Sequence, residues 1–438
     1  MRKLLIILIS ILYLSNIQAQ ESRNLSLQEA FNLAIQNSKQ LKLDSLKKES
    51  LDIRKEQTKG AMVPLVGVSA SYTRLSNNID PFAVTIPGVG GFEINTNIPN
   101  QFNNRATVQQ PIFQGLKNWN TLKALDQQKL AADFDIQKDK DDVKLMIVQA
   151  YYNLYKLQQT NALLDSNIAQ TQVRVDDLTR LKNVGIILNN DVMRAQLQKT
   201  NLLVNKADVE SGIQTANFNL NILLGLDGTT KFAVEDPTAV TNPADETQSL
   251  IASAFSARPE LKAQDYRSKA ADYQIKASKS AYMPTVNAVG NGYYSNPNAR
   301  VFPPEAKFKA TWDVGVSVSW NIMQLYTARA VVNDAKNQKA QLQLATAQIK
   351  DAISSDVNAN IQALKVAQLK IDLAQQAIDQ ATENRRILNN RFNSQIALLS
   401  DVLEGDVLLL QAQANLLNAK ADVAIASYKL QRSLGTIK

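Results

Sequence analysis

Hydrophobic residues three and four positions apart run through most of this chain, which is the pattern of amphipathic helices. One long series begins at Leu116, Trp119 and Leu122, and a second begins at Leu325 and Ala328. Near the C-terminus the apolar positions recur every seven residues, at Leu409, Leu416, Val423 and Leu430. A seven-residue apolar repeat is typical of helices that pack as coiled coils.

The distribution of proline indicates how long these helices are. All 12 prolines lie between residues 64 and 111 or between residues 237 and 304. Because proline interrupts helix interiors, the proline-free stretches can form long helices, each broken once by a tight turn. We predict helices over about 115–184, 190–225, 324–391 and 400–434. The first would be about 100 Å long, at about 1.5 Å per residue.

The proline-containing stretches alternate between apolar and polar residues, which predicts strands. The clearest alternation covers 311–321, where Trp312 and Trp320 lie on the apolar face. Further strands are predicted over about 65–73, 105–113 and 285–294, so that strand pairs occupy about 65–113 and about 285–322. Polar loops over about 74–104 and 295–309 join the strands of each pair.

The chain is an internal duplication. Ala61-Met62-Val63-Pro64 recurs as Ala281-Tyr282-Met283-Pro284, 220 positions later, whereas Asp191-Val192 and Leu224-Gly225 recur 210 positions later. Two copies of helix, strand pair, long helix, turn and helix therefore occupy 20–230 and 250–438, with a linker over 231–249. This order predicts an α+β fold that is mainly α.

Residues 1–19 have the pattern of a secretory signal peptide. Arg2 and Lys3 precede an apolar stretch from Leu4 to Leu14, and Ala19 ends a small-residue cleavage site. No later run of about 18 uncharged apolar residues follows, so we expect no membrane-spanning helix. An exported chain that meets a bilayer must then do so through its strands.

The composition excludes several classes of chemistry. The 438 residues include no His and no Cys, which removes disulfides, thiolate nucleophiles, imidazole bases and an N-terminal lipid-bearing cysteine. We therefore expect no enzyme, no cofactor, no metal site and no lipid anchor. The net charge of +8 is mild and scattered. Together with the export signal, it argues against a nucleic-acid partner.

The four predicted strands cannot form a closed barrel in one chain. The smallest membrane barrels have about eight strands, and an open edge in lipid leaves backbone groups unpaired. The chain must therefore associate with copies of itself, and physical reasoning alone predicts a homo-oligomer.

Over essentially the whole mature chain, the residues resemble the TolC-type outer-membrane efflux proteins. The segments that carry the resemblance are Leu25-Ser26-Leu27-Gln28-Glu29-Ala30, Met62-Val63-Pro64, Asn183-Val184-Gly185-Ile186, Ser400-Asp401-Val402-Leu403-Glu404 and Leu434-Gly435. The resemblance implies a homotrimer with a twelve-stranded β-barrel in the outer membrane of a Gram-negative bacterium and an α-helical barrel in the periplasm. It also implies a passive exit duct for efflux or type I secretion, with a periplasmic adaptor, an inner-membrane pump and outer-membrane lipid as partners.

The resemblance further implies functional residues near the two helix turns. Asp401 and Glu404 match an acidic pair that lines the periplasmic entrance gate, although both residues could simply cap a helix. Asp191 matches the partner of a latch arginine that is replaced here by Ala397, so we interpret Asp191 as an N-cap. Phe392 flanks the gate where the family often has Tyr.

Two further sets of residues have roles implied by the family or by spacing. The turns that contact the adaptor would contain Val184 and Gly185 in the first repeat, and Ser394 and Gln395 in the second. Trp312 and Trp320 are about 20 Å apart along the membrane normal if the strand tilts by about 40°, which suits two aromatic girdles. Packing at a protomer contact explains them equally well.

Two rival interpretations remain. A non-channel coiled-coil structural or adhesive protein of the cell envelope explains the heptads and the export signal, but not the duplicated strand pairs. A carboxylate-based periplasmic enzyme requires a compact acidic pocket, which this composition does not indicate. The pair Arg385-Arg386 is interpreted as a solvated helix face.

Overall fold

A computed structural model describes residues 23–78, 80–94, 98–237, 246–302 and 304–437. The predicted signal peptide over 1–19 and the middle of the predicted linker lie outside these residues. None of the helices in the described ranges combines the length and apolar character needed to cross a membrane.

The structure is mainly helical. The helices are α1 (Leu27–Asn37), α2 (Lys39–Gly60), α3 (Lys117–Asn183), α4 (Asn189–Leu224), α5 (Thr247–Ala257), α6 (Pro259–Ser278), α7 (Ile322–Asn393) and α8 (Leu399–Leu434). The strands are β1 (Arg23–Leu25), β2 (Leu65–Arg74), β3 (Phe82–Ile86), β4 (Gly90–Ile94), β5 (Asn100–Phe113), β6 (Phe232–Val234), β7 (Thr285–Asn296) and β8 (Lys309–Ser319).

Two short pairings lie in segments for which the sequence predicts loop or linker. The loop predicted over 74–104 contains the antiparallel hairpin of β3 and β4, which closes at Gly88 with a φ of 86°. The linker predicted over 231–249 contains β6, which pairs in parallel with β1. Strands of three to five residues carry too little alternation to be recognised from sequence.

The described residues fall into two compact units. One contains 23–45, 134–262 and 347–437, and the other contains 46–133 and 263–346. We call them the helical unit and the sheet unit.

The sheet unit contains a four-stranded antiparallel sheet in the order β2-β5-β7-β8. One face is apolar and solvent-exposed: Val68 on β2 is 81% exposed, and Trp312 on β8 is 76% exposed. The opposite face is polar, and Asn291 on it accepts a hydrogen bond from Arg105 at 2.8 Å and donates one to Asp313 at 2.6 Å. A sheet that packs on a protein core buries its apolar face and exposes its polar face to solvent. This sheet instead exposes its apolar face.

The helical unit contains a core cluster formed mainly by the first repeat, where α1, α3 and α4 meet. The hydroxyl of Tyr151 donates to the Leu25 carbonyl at 2.7 Å and accepts from the Glu235 amide at 2.8 Å. Tyr151 therefore connects α3 to both segments of the small parallel sheet. Burial, followed by the nearby Asp236 carboxylate, raises the pKa of Tyr155 to about 12.

A second core cluster belongs mainly to the second repeat, where α5, α7 and α8 pack through residues such as Leu250, Val357 and Leu430. Helices α4 and α8 both end at a left-handed glycine, Gly225 (φ 68°) and Gly435 (φ 72°). A Cβ on Gly225 would lie 2.5 Å from the Asn37 Cβ, so both the conformation and the close approach require glycine.

Candidate functional site

The turns of the two helical hairpins have the same backbone geometry. In the α3–α4 turn Gly185 has a φ of 79°, and the Ile186 amide donates to the Leu181 carbonyl at 3.0 Å. In the α7–α8 turn Gln395 has a φ of 56°, and the Ile396 amide donates to the Arg391 carbonyl at 2.8 Å. Both turns close as Schellman motifs. The predicted turn residues Val184, Gly185, Ser394 and Gln395 all lie in them.

Large apolar side chains are exposed at equivalent positions of both turns. Ile186 and Leu188 in the first turn correspond to Ile396 and Leu398 in the second, and all four are more than half exposed. Val184 is 70% exposed. Exposed apolar groups that recur in this way mark a surface suited to binding another protein.

An apolar cluster packs the turn-proximal ends of the two hairpins against each other. Its buried members are Val175, Leu178, Val192, Ala195 and Leu399. Phe392 packs against this cluster together with Ile187 and Leu403. The ring of Phe392 therefore contributes to the packing that joins the two repeats.

Asp401 lies in the first turn of α8 and caps it, but from the third helical position. The N-cap residue is Leu398, and its amide donates to the Asp401 carboxylate at 3.2 Å. The Ser400 hydroxyl donates to the other carboxylate oxygen at 3.3 Å. Leucine has no side-chain oxygen to cap the helix, so the carboxylate three residues later binds the free amide instead.

Glu404 lies one turn further along α8 and is exposed. The adjacent Gly405 is buried, and a Cβ there would lie 2.9 Å from the Leu388 Cδ1 of α7. The two helices therefore approach closely just beside Glu404. Asp401 and Glu404 are three residues apart, which places them on one side of α8.

The structure corrects the interpretation of Asp191 as an N-cap. Helix α4 begins at Asn189, its N-cap is Leu188, and no side chain there accepts a capping hydrogen bond. Asp191 occupies the third helical position, like Asp401 in α8. The Gly185 turn lets the helix start earlier than the Asn189-Asn190-Asp191 run suggests.

A charged network that sequence reasoning missed lies near the gate candidates. The Asp406 carboxylate on α8 pairs with Arg174 of α3 at 3.1 Å and with Arg385 of α7 at 2.7 Å. Arg385 also donates to Gln170 at 2.9 Å, and Arg174 donates to Asn389 at 3.3 Å. The network links the first-repeat hairpin to both helices of the second.

The interpretation of Arg385 as a solvated residue is therefore wrong, although it holds for its neighbour. Arg386 pairs with Glu383 of its own helix at 2.7 Å, and 61% of its side chain is exposed. The heptad pattern gives no signal for the Asp406 network, because its members come from three different helices and the pattern describes the apolar positions along a single helix.

Trp312 lies on the apolar face of the sheet, Trp320 directly follows β8, and both are exposed. Further aromatic rings cluster near the loop ends of the strands: Tyr72 lies 4.9 Å from Phe102, and Tyr294 lies 5.0 Å from Phe308, between ring centroids. A band of exposed aromatic residues beside an exposed apolar surface is the pattern of a membrane interface.

Comparison with known proteins gives consistent matches. The family model for outer membrane efflux proteins matches residues 30–226 and 250–436. BepC of Brucella suis biovar 1 (strain 1330), an outer membrane efflux protein, is 23% identical over 335 residues, covering 75% of this chain and 71% of BepC. TolC of Vibrio cholerae serotype O1 is 22% identical over 341 residues, covering 75% of both chains. The crystal structure of CusC has a TM-score of 0.78 at 14% identity, covering 93% of this chain and 92% of CusC.

The duplicated helical hairpins and the four-stranded sheet of this chain have the same fold as CusC. The chain belongs to the outer membrane efflux protein family. The resemblance to TolC-type proteins inferred from its motifs is confirmed. Since the family and its structural neighbours are channels, the prediction that the chain is not an enzyme is also confirmed.

Proposed function

We propose that the protein is the trimeric outer-membrane exit duct of a tripartite efflux or type I secretion system. Three copies form a twelve-stranded barrel in the outer membrane and an α-helical barrel in the periplasm, without a lipid anchor. A periplasmic adaptor opens the duct, and an inner-membrane pump drives export. Residues 1–19 are removed as a signal peptide, and the repeats at 20–230 and 250–438 are joined by the linker at 231–249.

The sheet is the observation that carries this proposal. Its four strands expose one apolar face, and within the described residues β2 pairs only with β5 and β8 only with β7. Such a face is favourable in lipid, and such edges are favourable only when another copy pairs with them. The exposed aromatic residues, with Trp312 and Trp320 among them, support a boundary with the outer-membrane headgroups.

The exposed apolar turns support docking of the adaptor. Val184 and Gly185 would contact it in the first repeat, and Ser394 and Gln395 in the second. Because the two turns have the same backbone geometry, one adaptor tip can contact both in similar ways. The apolar side chains at Ile186 and Ile396 supply the contact area.

The gate would be formed by Asp401 and Glu404 of three chains around one passage. Asp191 and Phe392 flank it in the two hairpins. At rest, the Asp406 network holds the second-repeat hairpin to the first. Adaptor binding at the turns would separate the hairpins and widen the ring of carboxylates.

Single-channel recordings in planar bilayers test both the duct and its gate. We expect the wild type to conduct weakly and to be blocked by divalent cations, because six carboxylates at a constriction attract them. Asp401→Ala/Glu404→Ala should conduct more and lose the block. The matched control is Asp208→Ala/Glu210→Ala, which removes two exposed carboxylates further along α4 and should behave as the wild type does. Unchanged conductance and block in the first variant would refute the gate, and absence of channels would refute the duct.

A further inference from the structure

The polar face of the four-stranded sheet carries few charges. Side chains alternate between the two faces of a strand, so the register assigns each strand residue to one face. Among the residues of β2, β5, β7 and β8 that share the polar face with Asn291, the charged ones are Arg105, Lys309 and Asp313. Lys309 pairs with Glu305 of the preceding loop at 2.8 Å. The charges of Arg105 and Asp313 therefore dominate the rest of this face.

Two guanidinium groups lie against one tyrosine ring on this face. Arg105 of β5 is directly opposite Tyr293 of β7, and its guanidinium carbon is 5.5 Å from the centroid of the Tyr293 ring. Arg300, in the loop between β7 and β8, approaches the same ring to 4.3 Å. Cation–π attraction favours both contacts. The two guanidinium carbons are thus no more than 9.8 Å apart, which is the sum of these two distances.

A single carboxylate lies between these two cations. Asp313 forms an ion pair with Arg300 and accepts a hydrogen bond from Asn291 at 2.6 Å. Asn291 in turn accepts a hydrogen bond from Arg105 at 2.8 Å. Within the described residues, Arg105 has this neutral amide as its hydrogen-bond partner and forms no ion pair. Two positive charges and one negative charge leave the cluster with a net charge of +1.

The loop that carries Arg300 is fixed against the sheet. Asn298 is only 4% exposed, and its side-chain amide donates to the Lys309 carbonyl at 2.9 Å and to the Thr311 hydroxyl at 3.1 Å. Its side-chain oxygen accepts from the Arg300 amide at 3.0 Å. The backbone at Arg300 is therefore held in place before any ligand binds, which lowers the entropy cost of binding.

Both guanidinium groups remain accessible. Arg105 is exposed, and 43% of the Arg300 side chain is exposed. A guanidinium group has five N–H donors, and Arg105 uses one of them for Asn291. The remaining donors suit a carboxylate or a phosphate, which guanidinium groups bind through paired hydrogen bonds.

We propose that Arg105 and Arg300 form a binding site for anionic solutes on the polar face of the sheet. The ligand class is a small organic anion with carboxylate or phosphate groups, which the two guanidinium groups bind together. The site goes beyond the proposed duct and rests on it in one respect. If the polar face lines the passage, exported anions meet this site on their way through the barrel.

The duplication places one such site in each copy. The residue equivalent to Tyr293 in the first repeat is Thr73, and the residue equivalent to Asp313 is Asn103. The first repeat therefore has neither the ring that holds the guanidinium groups nor the carboxylate that pairs with Arg300.

Isothermal titration of the detergent-solubilised protein with potassium citrate tests the site. The test variant is Arg105→Ala, which keeps the ion pair between Arg300 and Asp313 and therefore the fold of the loop. The matched control is Arg74→Ala. Arg74 lies at the loop end of β2, alternates with the apolar-face residues Val68 and Tyr72, and donates to Asn100. The control therefore removes an equal charge from the other side of the same sheet.

We expect the wild type and Arg74→Ala to bind citrate alike, and Arg105→Ala to bind at least about tenfold more weakly, because charge-assisted hydrogen bonds are lost. Raising the salt from about 50 mM to about 0.5 M should weaken wild-type binding, since salt screens exposed charges. Circular dichroism verifies the fold of each variant. Equal affinity of Arg105→Ala and the wild type overturns the site, as does absence of wild-type binding up to about 10 mM citrate.

Single-channel recordings separate this site from the proposed duct. Citrate added to one side of a planar bilayer should reduce the wild-type current and leave that of Arg105→Ala/Arg300→Ala unchanged. Binding in the titration without any reduction of current would place the site outside the passage and overturn its role in export. If the wild type forms no channels, the proposed duct fails, whereas the titration still decides whether the anion site exists.

Discussion

The two repeats share a backbone plan but fill equivalent positions with different chemistry. Tyr151 and Tyr155 of α3 are buried in the first core cluster, and the residues 210 positions later are Ile361 and Lys365. Tyr151 donates to β1 and accepts from the segment after β6, and this small parallel sheet occurs once in the described residues. The equivalent helices α3 and α7 therefore differ in sequence at the positions where α3 alone contacts the parallel sheet of β1 and β6.

The turn ends of the hairpins diverged more strongly. Asp401 corresponds to Asp191, but Glu404 corresponds to Arg194, so the acidic pair exists only in the second repeat. Asp406 likewise corresponds to the exposed Gln196. The duplication therefore preserved the backbone geometry of the turns, whereas the acidic pair is present in one hairpin alone, as the proposed gate requires.

The largest expected effect comes from removing the Asp406 carboxylate. Asp406→Ala leaves Arg174 and Arg385 without a carboxylate and with only the neutral partners Asn389 and Gln170. Their side chains are only 18% and 29% exposed. We expect a loss of about 2–3 kcal/mol in the free energy of unfolding, somewhat less than for a fully buried pair. Denaturant unfolding of detergent-solubilised protein, followed by circular dichroism, measures it.

The equivalent first-repeat change, Gln196→Ala, is the matched control. Its side chain is exposed, so it should alter the free energy of unfolding by no more than about 0.5 kcal/mol. Equal losses in both variants would show that the network does not stabilise the contact between hairpins.

Alkaline pH should destabilise the first-repeat core selectively. Burial raises the pKa of Tyr152 and raises that of Tyr155 to about 12, above the value of 10.0 expected when unfolded. The unfolded state loses its protons first, so stability is complete below pH 10 and falls as the pH rises towards 12. We expect a loss of about 1–2 kcal/mol between pH 9 and pH 12, measured by denaturant unfolding.

The variant Tyr155→Phe should flatten part of this pH dependence, because phenylalanine cannot ionise. Tyr326→Phe serves as the control, since Tyr326 is 87% exposed and should leave the dependence unchanged. If both variants lose stability with rising pH as steeply as the wild type does, ionisation of the buried Tyr155 does not contribute to the loss.

Gly185 and Gln395 occupy the left-handed position of the two helix turns, and exchanging these two residue types tests whether the turns are equivalent. Gln395→Gly should stabilise the protein by about 0.5–1 kcal/mol, because a side chain in this conformation is strained. Gly185→Gln should destabilise it by a similar amount. Thermal unfolding of each variant measures the change, and a loss in Gln395→Gly would show that its side chain makes a compensating contact.

The smallest expected difference concerns the two aspartates at the third position of α4 and α8. Asp401→Ala removes a capping hydrogen bond and should cost about 0.5–1 kcal/mol, whereas Asp191→Ala should cost only about 0.3 kcal/mol through the helix dipole. Both are read by thermal unfolding. Equal costs would indicate that the capping bond of Asp401 contributes nothing.

Much of the fold follows from local patterns. The mainly helical class is confirmed, and α3 and α7 run close to the ranges that the absence of proline indicates. The helix starts are less predictable: capping chemistry favours Asp191, but the chain places Leu188 at the N-cap because the preceding turn fixes the direction of entry. The sequence predicts that Asp401 lies near the start of α8. It does not predict the hydrogen bond that the Asp401 carboxylate accepts from the Leu398 amide.

The sequence by itself determined the helix and strand periods, the duplication and the family, because each of these depends on neighbours a few residues apart or on matching segments. Only the tertiary structure decided that Asp406 meets Arg174 and Arg385, and that β6 pairs with β1. Such contacts depend on how helices cross and which side chains face one another there. The spacing of residues within one helix or strand carries no signal of such a contact between different elements.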